Sequence, residues 1–508
     1  MGEAGAGRAG RDVLLVFPGR RGAPDPQVPL QLLHVAAALR RAGYRPRIAD
    51  IRLGDSRTLP LGDPVFVGIT AMSGPQIRYG LEFAGRVRAE RPGAPIVWGG
   101  VHPTLLPDQT AADPRVDVVV RGESELVVGP LAEALAAGDG LDGVAGLTFA
   151  DPSTRGPWTP GSSGDGDGAR AASVCSTPDA DLADLDDLPV ELPYDLLPLR
   201  LYPTLQAGRV HLQTSRGCPS RCGFCYNTAF NHRRWRGKSP ERVVDEMEWL
   251  LHRFPGTKIL DPVDDNFFVD RRRAERICDL ILSRGLQFRW RANCRFDYLA
   301  GFDADFLRLV ERAGCIELDF GGESGSTAMQ DLVCKEVTAD EILTAVATLR
   351  RHAPSIDPFV SWLSGLPGET WADMQKTFDL MDAMERVNPR TQHYGIFLYT
   401  PFPSPLLEDL PPEFTPPRSL AEWGDIEVFH FLPPWHTPRY VERLRGVSAV
   451  TRWAFYPRSR IDEHGVAFKA AYGTLCAAAR WRWRRRAFDH PVELQLANAA
   501  AQRLRGFL

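Results

Sequence analysis

The chain has 508 residues, too many for one ordinary domain, and its 44% hydrophobic and 24% charged residues are typical of globular proteins with a buried core. A formal net charge of −4 argues against a protein that holds nucleic acid mainly through phosphate contacts. Nine cysteines, an odd number spread over a large chain, do not suit a disulfide framework, and no apolar run reaches the roughly 18 residues of a transmembrane helix. We therefore expect a cytoplasmic protein with reduced thiols.

Strand and helix patterns alternate along residues 11–150, the first predicted domain. The run DVLLVF predicts a buried strand, and PLQLLHVAAALRRAGY predicts a helix that Gly43 ends in a left-handed conformation. Further strands are predicted at PRIADI, FVGITA, PIVWGG and DVVVRG, with a helix at QIRYGLEFAGRVRAERPG between the second and third of these. This alternation predicts an α/β fold with a doubly wound, Rossmann-like parallel sheet.

Three further regions follow. Residues 151–204 are predicted to be a linker, because DPSTRGPWTPGSSGDGDGARAAS is rich in Gly, Ser, Pro and Asp. The acidic run DADLADLDDLPVELPYDLLPL is expected to continue that connection along a domain surface. A second series of alternating strands and helices occupies residues 205–410, and residues 411–508 are proline-rich and then helical.

Three of the nine cysteines, Cys218, Cys222 and Cys225, lie within eight residues in the pattern C-x3-C-x2-C. Structural zinc sites and ferredoxin-type clusters normally use four protein ligands, and no partner C-x2-C pair follows downstream. Three cysteines would leave one iron of a cubane open for a substrate or cofactor, which suits a catalytic cluster. The segment follows a strand pattern and precedes a helix with Ser239 as its predicted N-cap, so it lies where barrel enzymes carry their chemistry. The alternative is three unrelated core cysteines.

The segment CPSRCGFCY resembles the signature loop of the radical S-adenosylmethionine (radical SAM) enzymes. The resemblance implies that Cys218, Cys222 and Cys225 hold a [4Fe–4S] cluster whose fourth iron binds S-adenosylmethionine (SAM), the source of a 5′-deoxyadenosyl radical. It also implies that Phe224 and the backbone of Tyr226 border the adenine, although core packing would equally explain either aromatic residue.

The ends of the later strands fit the same family in order. The resemblance implies SAM contacts from residues at the ends of the second to fifth strands of this series, namely Asp264, Asp265, Asn266, Arg291, Glu323, Ser324 and Gly365. The motif Asp-Asp-Asn stands where much of the superfamily has Gly-Gly-Glu, which leaves the exact contacts open. The ordered series over about two hundred residues predicts a partial (β/α) TIM-type barrel. Cys294, at the expected mouth of that barrel, is either a hydrogen-atom donor or a small apolar filler.

Glycine and polar residues lie at or after the ends of three strands of the first domain, namely Thr70, Ser73, Gly74, Gly99, Gly100, His102, Gly122 and Glu123. The loop after the first strand lacks the G-x-G-x-x-G motif of dinucleotide-binding sites. The pattern resembles the cobalamin-binding domain that precedes the barrel in one large radical SAM class, which implies that these residues line the slot for the nucleotide tail of cobalamin. D-x-H-x-x-G, which supplies the lower cobalt ligand in typical cobalamin domains, is absent from the sequence. Cobalt would then lack a protein imidazole unless His102 or His34 supplies one.

The tail AARWRWRRRAFDH carries arginines at positions 480, 482, 484, 485 and 486. Such a stretch is compatible with nucleic acid or with an anionic membrane surface. Helical spacing, however, places Trp481, Arg484 and Phe488 near one face, which favours an amphipathic helix packed on the barrel. No nucleic-acid partner is therefore expected, whereas peripheral membrane contact stays open.

These observations predict a cobalamin-dependent radical SAM enzyme whose cofactors are a [4Fe–4S] cluster, SAM and cobalamin. The favoured reaction is methylation of an unactivated carbon in a small molecule or natural product, with electrons from a donor such as flavodoxin or ferredoxin. One alternative is a cyclase, ring-contraction or hydroxylation enzyme without methyl transfer. An alternative of another class is an iron–sulfur RNA-modifying or nucleic-acid-binding protein. No catalytic residue is predicted beyond the cluster cysteines.

Overall fold

The computed structural model describes residues 10–22, 26–151, 173–427, 431–455 and 466–504. Contacts divide the chain into two compact units. The first comprises the described residues of Met1–Ala207, Ala229–Asn231 and Pro416–Val428, and the second comprises those of Gly208–Thr228, His232–Thr415 and Phe429–Leu508. Within the described residues, none of the helices is both long and apolar enough to cross a membrane.

Fifteen strands are present in the described residues. In chain order they are β1 Asp12–Phe17, β2 Arg45–Asp50, β3 Phe66–Thr70, β4 Ile96–Gly99, β5 Val118–Val120, β6 Leu147–Ala150, β7 Val174–Ser176, β8 Arg209–Leu212, β9 Ser215–Arg216, β10 Arg236–Gly237, β11 Ile259–Pro262, β12 Arg289–Asn293, β13 Cys315–Glu323, β14 Asp357–Ser364 and β15 Gln392–Leu398.

The helices of the same residues are α1 Leu30–Arg41, α2 Pro75–Glu90, α3 Val101–Leu105, α4 Pro107–Ala111, α5 Val128–Ala137, α6 Pro203–Gln206, α7 Tyr226–Phe230, α8 Pro240–Arg253, α9 Arg271–Ser283, α10 Phe296–Ala300, α11 Ala304–Arg312, α12 Thr327–Leu332, α13 Ala339–His352, α14 Trp371–Val387, α15 Leu420–Gly424, α16 Pro438–Ala454, α17 Val466–Arg484 and α18 Val492–Leu504. Short 3₁₀ turns occupy Ser56–Thr58, Tyr194–Leu196, Leu199–Leu201 and Pro405–Asp409.

The first unit is built on a seven-stranded sheet with the order β2-β1-β3-β4-β5-β6-β7. Strands β1 to β5 pair in parallel, whereas β6 and β7 add an antiparallel edge. The central strands β1 and β3 are buried along almost their whole length, which explains their continuous apolar sequences. Gly43 has φ +84° just after α1, as predicted. The predicted Rossmann-like parallel sheet is therefore confirmed.

Two segments of this unit differ from the sequence-based division. Residues 173–204, predicted as a linker, fold onto the first unit: β7 extends the sheet, and Asp195 accepts two hydrogen bonds from Arg40, of 3.0 and 2.6 Å. The segment Pro416–Val428, assigned from sequence to the C-terminal region, also belongs here, and Arg78 pairs with Glu427 at 3.1 Å. The Gly/Ser/Pro-rich stretch over 152–172 lies outside the described residues.

The second unit carries a six-stranded sheet in which the spatial order β8-β11-β12-β13-β14-β15 follows the chain order and every pair is parallel. Helices follow the strands, as in a partial TIM-type barrel, and Ser239 caps α8 by accepting a hydrogen bond from the Arg242 amide. Because all six strands are parallel, their carboxyl ends lie at one edge. That edge carries the predicted site residues that end or follow a strand, whereas Arg291, predicted at a strand end, lies in the middle of β12.

The C-terminal region packs on this barrel, and of the two aromatic residues predicted on the packing face Phe488 is buried, with its ring 5.0 Å from that of Phe378. Trp481, predicted on the packing face, is 53% exposed. Trp483 is buried instead: its ring lies 5.2 Å from that of Phe378 on α14, and its Nε1 donates to Asp382. The helix α17 ends at Arg484, so the helical spacing that linked Trp481 with Phe488 does not extend far enough.

Candidate functional site

The cysteine loop leaves the end of β8 and is closed at its base by a two-stranded antiparallel ribbon. Strand β9, just before the cysteines, pairs with β10, just after the loop. Cys222 is buried, whereas Cys218 and Cys225 are partly exposed. The sequence therefore folds into a short anchored loop that presents three thiols at the carboxyl edge of the barrel.

The two aspartates after β11 are bonded to this loop. Asp264 is buried and accepts hydrogen bonds from the Thr214 amide at 2.7 Å and from the Ser215 hydroxyl at 2.6 Å, which ties down the exit of β8. Asp265 accepts from the Gly217 amide at 2.9 Å and from the Tyr226 hydroxyl at 3.4 Å. Burial raises the pKa of Asp265, although these hydrogen bonds act to lower it. Both carboxylates thus brace the segment that holds the cysteines.

Asn266 differs from its two neighbours. Its Oδ1 accepts a hydrogen bond from the Phe268 amide, and the residue is 1% exposed. Its Nδ2 has no hydrogen-bond partner among the described residues. A buried amide donor without a partner is costly, so it fits a site that awaits an acceptor such as the carboxylate of an amino-acid ligand.

The three sulfurs are close enough to influence one another. Burial raises the pKa of the Cys225 thiol to about 12, and the nearby Cys222 and Cys218 add to the rise. Within the described ranges, no set of three or more His, Cys, Asp and Glu side chains converges on a single metal ion. A cubane does not need such convergence, because each thiolate binds a different iron. Three neighbouring thiols in one loop are therefore a suitable donor set for an iron–sulfur cluster.

The remaining predicted SAM residues on β12 and β13 are engaged by protein partners. Arg291 donates to Asp261 at 2.8 and 2.7 Å and to Glu317 at 3.0 Å, inside a network of charged residues. Glu323 has φ +53° and forms a buried ion pair with Lys335 at 2.7 Å.

Three further predicted residues lie in the same unit. The hydroxyl of Ser324, buried after β13, lies 3.2 Å from that of Thr377. Gly365, after β14, has φ +76°, and its amide donates to Glu369 at 2.6 Å. Phe224 packs against a small apolar cluster formed by Met329, Val333, Leu366, Tyr399 and Leu406. Its ring therefore has the surroundings that the core-packing alternative predicts.

In the first unit, the loops after β3, β4 and β5 are bonded together. The Ala71 amide donates to Gly99, and the His102 amide donates back to Ala71. The Gly122 amide, after β5, donates to the hydroxyl of Thr104 at 2.9 Å. The predicted cobalamin residues therefore do gather at one edge of the sheet, where doubly wound folds bind ligands.

Gly100 has no room for a side chain. It has φ +100°, and a Cβ there would lie 2.9 Å from both the Ala71 carbonyl oxygen and the Thr70 hydroxyl. The bare backbone thus lets two loops approach closely. Gly74 precedes α2 with φ +98°, and Glu123 follows Gly122 in the next loop.

His102 is fully enclosed. Its Nδ1 lies 2.8 Å from the Ser73 hydroxyl, and its ring packs edge-on against Trp423 with the centroids 5.5 Å apart. Burial lowers the pKa of His102 to about 3, so the imidazole is neutral. Its Nε2 has no partner in the described part of the chain. His34, the other candidate imidazole, is buried on α1.

Cys294 and Arg295 follow the end of β12, and the sequence singled out only Cys294. Cys294 is buried and its thiol donates to the Arg295 carbonyl, which suits a filler. Arg295, which sequence reasoning missed, donates from Nη1 to the Cys222 sulfur at 3.3 Å. An arginine that follows a strand carries no spacing signal, so only the fold reveals this contact.

Comparison with known proteins identifies two domains. Residues 23–132 match the B12 binding domain, and residues 212–381 match the radical SAM superfamily. Together these ranges contain the loops after β3 to β5, the cysteine loop, and the ends of β11 to β14.

Three similar proteins illustrate the range of relatives. An uncharacterized methyltransferase of Pyrococcus horikoshii is 31% identical over 284 residues, which is 56% of this chain and 56% of that protein, so the chain spans little more than half of it. An anaerobic magnesium-protoporphyrin IX monomethyl ester cyclase of Cereibacter sphaeroides is 26% identical over 475 residues, covering 89% of this chain and 71% of the cyclase. In fold, the chain resembles the radical SAM methyltransferase TsrM of Kitasatospora setae, with a TM-score of 0.65, 18% identity, and coverage of 97% of this chain and 100% of that one.

Proposed function

Because the chain belongs to the cobalamin-binding radical SAM enzymes, with a B12-binding domain followed by a radical SAM domain, we propose that it methylates an unactivated carbon of a small-molecule substrate. The observation that carries the proposal is this pairing of domains, since it joins a source of a carbon-centred radical to a carrier of methyl groups. The methyltransferase among the relatives supports the same choice. We propose a small one-electron donor protein as the reductant.

In this proposal, the cysteines of the loop hold the cluster, and the backbone and side chains around it position SAM. Asp265 holds the two ends of the loop, and the unpartnered amide of Asn266 is available to the amino-acid part of SAM. The loops around Gly100 and Gly122 hold cobalamin. When bound, these cofactors supply a 5′-deoxyadenosyl radical and a transferable methyl group, whereas the protein orients them and excludes water.

The proposal is tested by product stoichiometry in the anaerobically reconstituted protein. One SAM serves as the radical source and a second as the methyl source, so each methylated product should appear with one 5′-deoxyadenosine and one S-adenosylhomocysteine. The assay uses methyl-labelled SAM with extracts of the producing cell and follows the label into products. Labelled product with S-adenosylhomocysteine but without 5′-deoxyadenosine would contradict a radical route.

A cyclisation without methyl transfer is the second candidate, because the cyclase relative matches 89% of this chain. The same assay separates the two reactions. Steady formation of 5′-deoxyadenosine with an unlabelled, rearranged product, and without S-adenosylhomocysteine, would favour the cyclase reaction over methylation.

A further inference from the structure

Arg295 is a buried cation, and each of its three side-chain nitrogens donates to a defined partner. It is 8% exposed. Its Nη1 donates to the Cys222 sulfur at 3.3 Å, and its Nη2 donates to the Lys335 carbonyl at 2.8 Å. Its Nε and Nη2 also pair with Asp297 at 2.9 and 3.2 Å. The Asp297 carboxylate and the Lys335 carbonyl fix the plane of the guanidinium, so Nη1 is directed at the Cys222 sulfur.

The turn of residues 332–336 is bonded to the residue that follows Cys222. The amide of Gly223, the next residue, donates to the Val333 carbonyl at 2.9 Å. Cys334 and Glu336 have φ +51° and +58°, which is unusual for residues other than glycine and costs conformational energy. The same turn places the buried ammonium of Lys335 near Cys222, where the two charges interact. Cys222 thus accepts a hydrogen bond from one buried cation, Arg295, and interacts electrostatically with a second, Lys335.

A cation beside a cluster sulfur affects the two redox states unequally. Reduction adds one negative charge to a cluster and its thiolates, and a nearby positive charge stabilises the more negative state. Hydrogen bonds to the sulfurs, net charge and solvent exposure are the features that set the reduction potentials of iron–sulfur clusters. Arginine keeps its charge at every accessible pH, so its effect persists throughout.

We propose that Arg295 is a positioning residue that orients the Cys222 thiolate and raises the reduction potential of the cluster by hydrogen bonding to that sulfur. The inference rests on the proposed cluster and deepens the proposed function, because it assigns the control of electron entry to one side chain. Each of the two cations also has a carboxylate partner, since Lys335 pairs with Glu323 and Arg295 pairs with Asp297, so the hydrogen bond to the sulfur is the feature that sets Arg295 apart.

The test is a redox titration of the reconstituted full-length protein without SAM, followed by electron paramagnetic resonance of the reduced cluster. The variants are Arg295→Gln, Arg295→Lys and, as the matched control, Arg221→Gln. Arg221 is adjacent to Cys222 in sequence, but it is exposed and pairs with Glu336. Both glutamine variants remove one positive charge near the loop, but only Arg295 donates to the sulfur.

We expect Arg295→Gln to keep its iron and sulfide and to show about a tenfold lower ratio of reduced to oxidised cluster at a fixed potential, equivalent to about 59 mV for a one-electron couple. The reduction potential of Arg295→Lys should lie between those of Arg295→Gln and the wild type, because a lysine keeps the charge but not the planar fork. Arg221→Gln should have the reduction potential of the wild type.

Equal potentials in Arg295→Gln and Arg221→Gln would overturn the inference. If Arg295→Gln loses its cluster, the reduction potential of Arg295→Lys is compared with that of Arg221→Gln instead, and equal values would again overturn the inference. Loss of the cluster in both Arg295 variants would show that Arg295 has a structural role only, which also overturns it. A wild-type protein that binds no iron or sulfide would instead overturn the cluster assignment on which the inference rests.

Discussion

The carboxylates of Asp264 and Asp265 are adjacent in sequence and bind different parts of the cysteine segment. Asp264 fixes the backbone just after β8, and Asp265 contacts the residues that flank the cysteines at both ends. Their position at the end of β11 was predictable, because a buried strand pattern precedes them. Their partners were not, since a strand-end carboxylate can bind a ligand or a neighbouring loop with the same sequence.

Glu369 leads to a prediction about pH. It is 4% exposed, and its Oε2 accepts from the Gly365 amide at 2.6 Å and from the Tyr440 hydroxyl at 3.0 Å. Burial raises its pKa from 4.5 to about 7. Between these two values the folded protein binds a proton that the unfolded chain has released, so the stability that Glu369 contributes is present below about pH 4.5 and is lost as the pH rises through 7.

We therefore expect the melting temperature of the cofactor-free protein to fall more steeply between pH 5 and 7.5 in the wild type than in Glu369→Gln. Over that pH range the free energy of unfolding of the wild type should fall by on the order of 1–3 kcal/mol more than that of Glu369→Gln, since one pKa unit corresponds to about 1.4 kcal/mol. Calorimetry at matched ionic strength measures it. The control, Glu442→Gln, changes a glutamate whose side chain is 49% exposed. Parallel pH profiles for the wild type and Glu369→Gln would contradict the prediction.

At the scale of elements, the parallel core strands and the long helices followed from hydrophobic pattern and end signals, whereas the short antiparallel strands did not. Strands β1 to β5 lie where their apolar runs predicted them, to within one residue at most ends. The antiparallel strands β7, β9 and β10 have two or three residues each, too few for a period of two to be visible. Strand β7 pairs with the edge strand β6, and β9 and β10 pair with each other across the cysteine loop, so all three depend on tertiary contacts.

The site residues divide in the same way. The three cysteines, with their fixed spacing, and the glycine loops of the first unit were recognisable from local sequence. The contact between Arg295 and Cys222 joins residues 73 positions apart, and no local pattern encodes it. Trp483 was likewise missed in favour of Trp481, because helical spacing alone does not show where a helix ends.

The turn after β4 permits a prediction about cobalamin. Gly100 has φ +100° and ψ −165°, a conformation open essentially only to glycine, and a Cβ would contact the neighbouring loop at 2.9 Å. Gly100→Ala should therefore shift the loops after β3 and β4 at a cost of about 1–3 kcal/mol and weaken cobalamin binding at least tenfold. Absorbance titration of the cobalamin-free protein with hydroxocobalamin measures the affinity.

The matched control is Gly138→Ala. Gly138 also has a positive φ, of +72°, but a Cβ there would have nothing within 4 Å, and it ends α5. It should lose a similar amount of backbone stability and keep its affinity for cobalamin. Equal affinities in the two variants would show that the close approach at Gly100 does not shape the cobalamin site.

At the scale of the whole molecule, the two proposed cofactor sites draw on residues of different compact units. The loops after β3 to β5 belong to the first unit, and the cysteine loop belongs to the second. Each unit has its own parallel sheet, and each sheet gathers its polar strand ends at one edge. Each proposed cofactor site thus lies at the edge of its own sheet and depends on the backbone hydrogen bonds of its own unit.

This organisation predicts that the two cofactors can be removed separately. Cys222→Ala takes away a thiolate of the proposed cluster and should abolish iron and sulfide binding and the reductive cleavage of SAM, yet leave cobalamin affinity within about twofold of the wild type. Gly100→Ala should do the reverse, because its clash lies entirely within the first unit. Iron and sulfide assays, cobalamin titration and 5′-deoxyadenosine formation are measured for both variants and the wild type on the same anaerobic preparations. A Cys222→Ala protein that retains a full cubane would refute the cluster assignment. Loss of both cofactors in a variant that still melts cooperatively would mean that the two sites are coupled, and the prediction of separate loading would then be wrong.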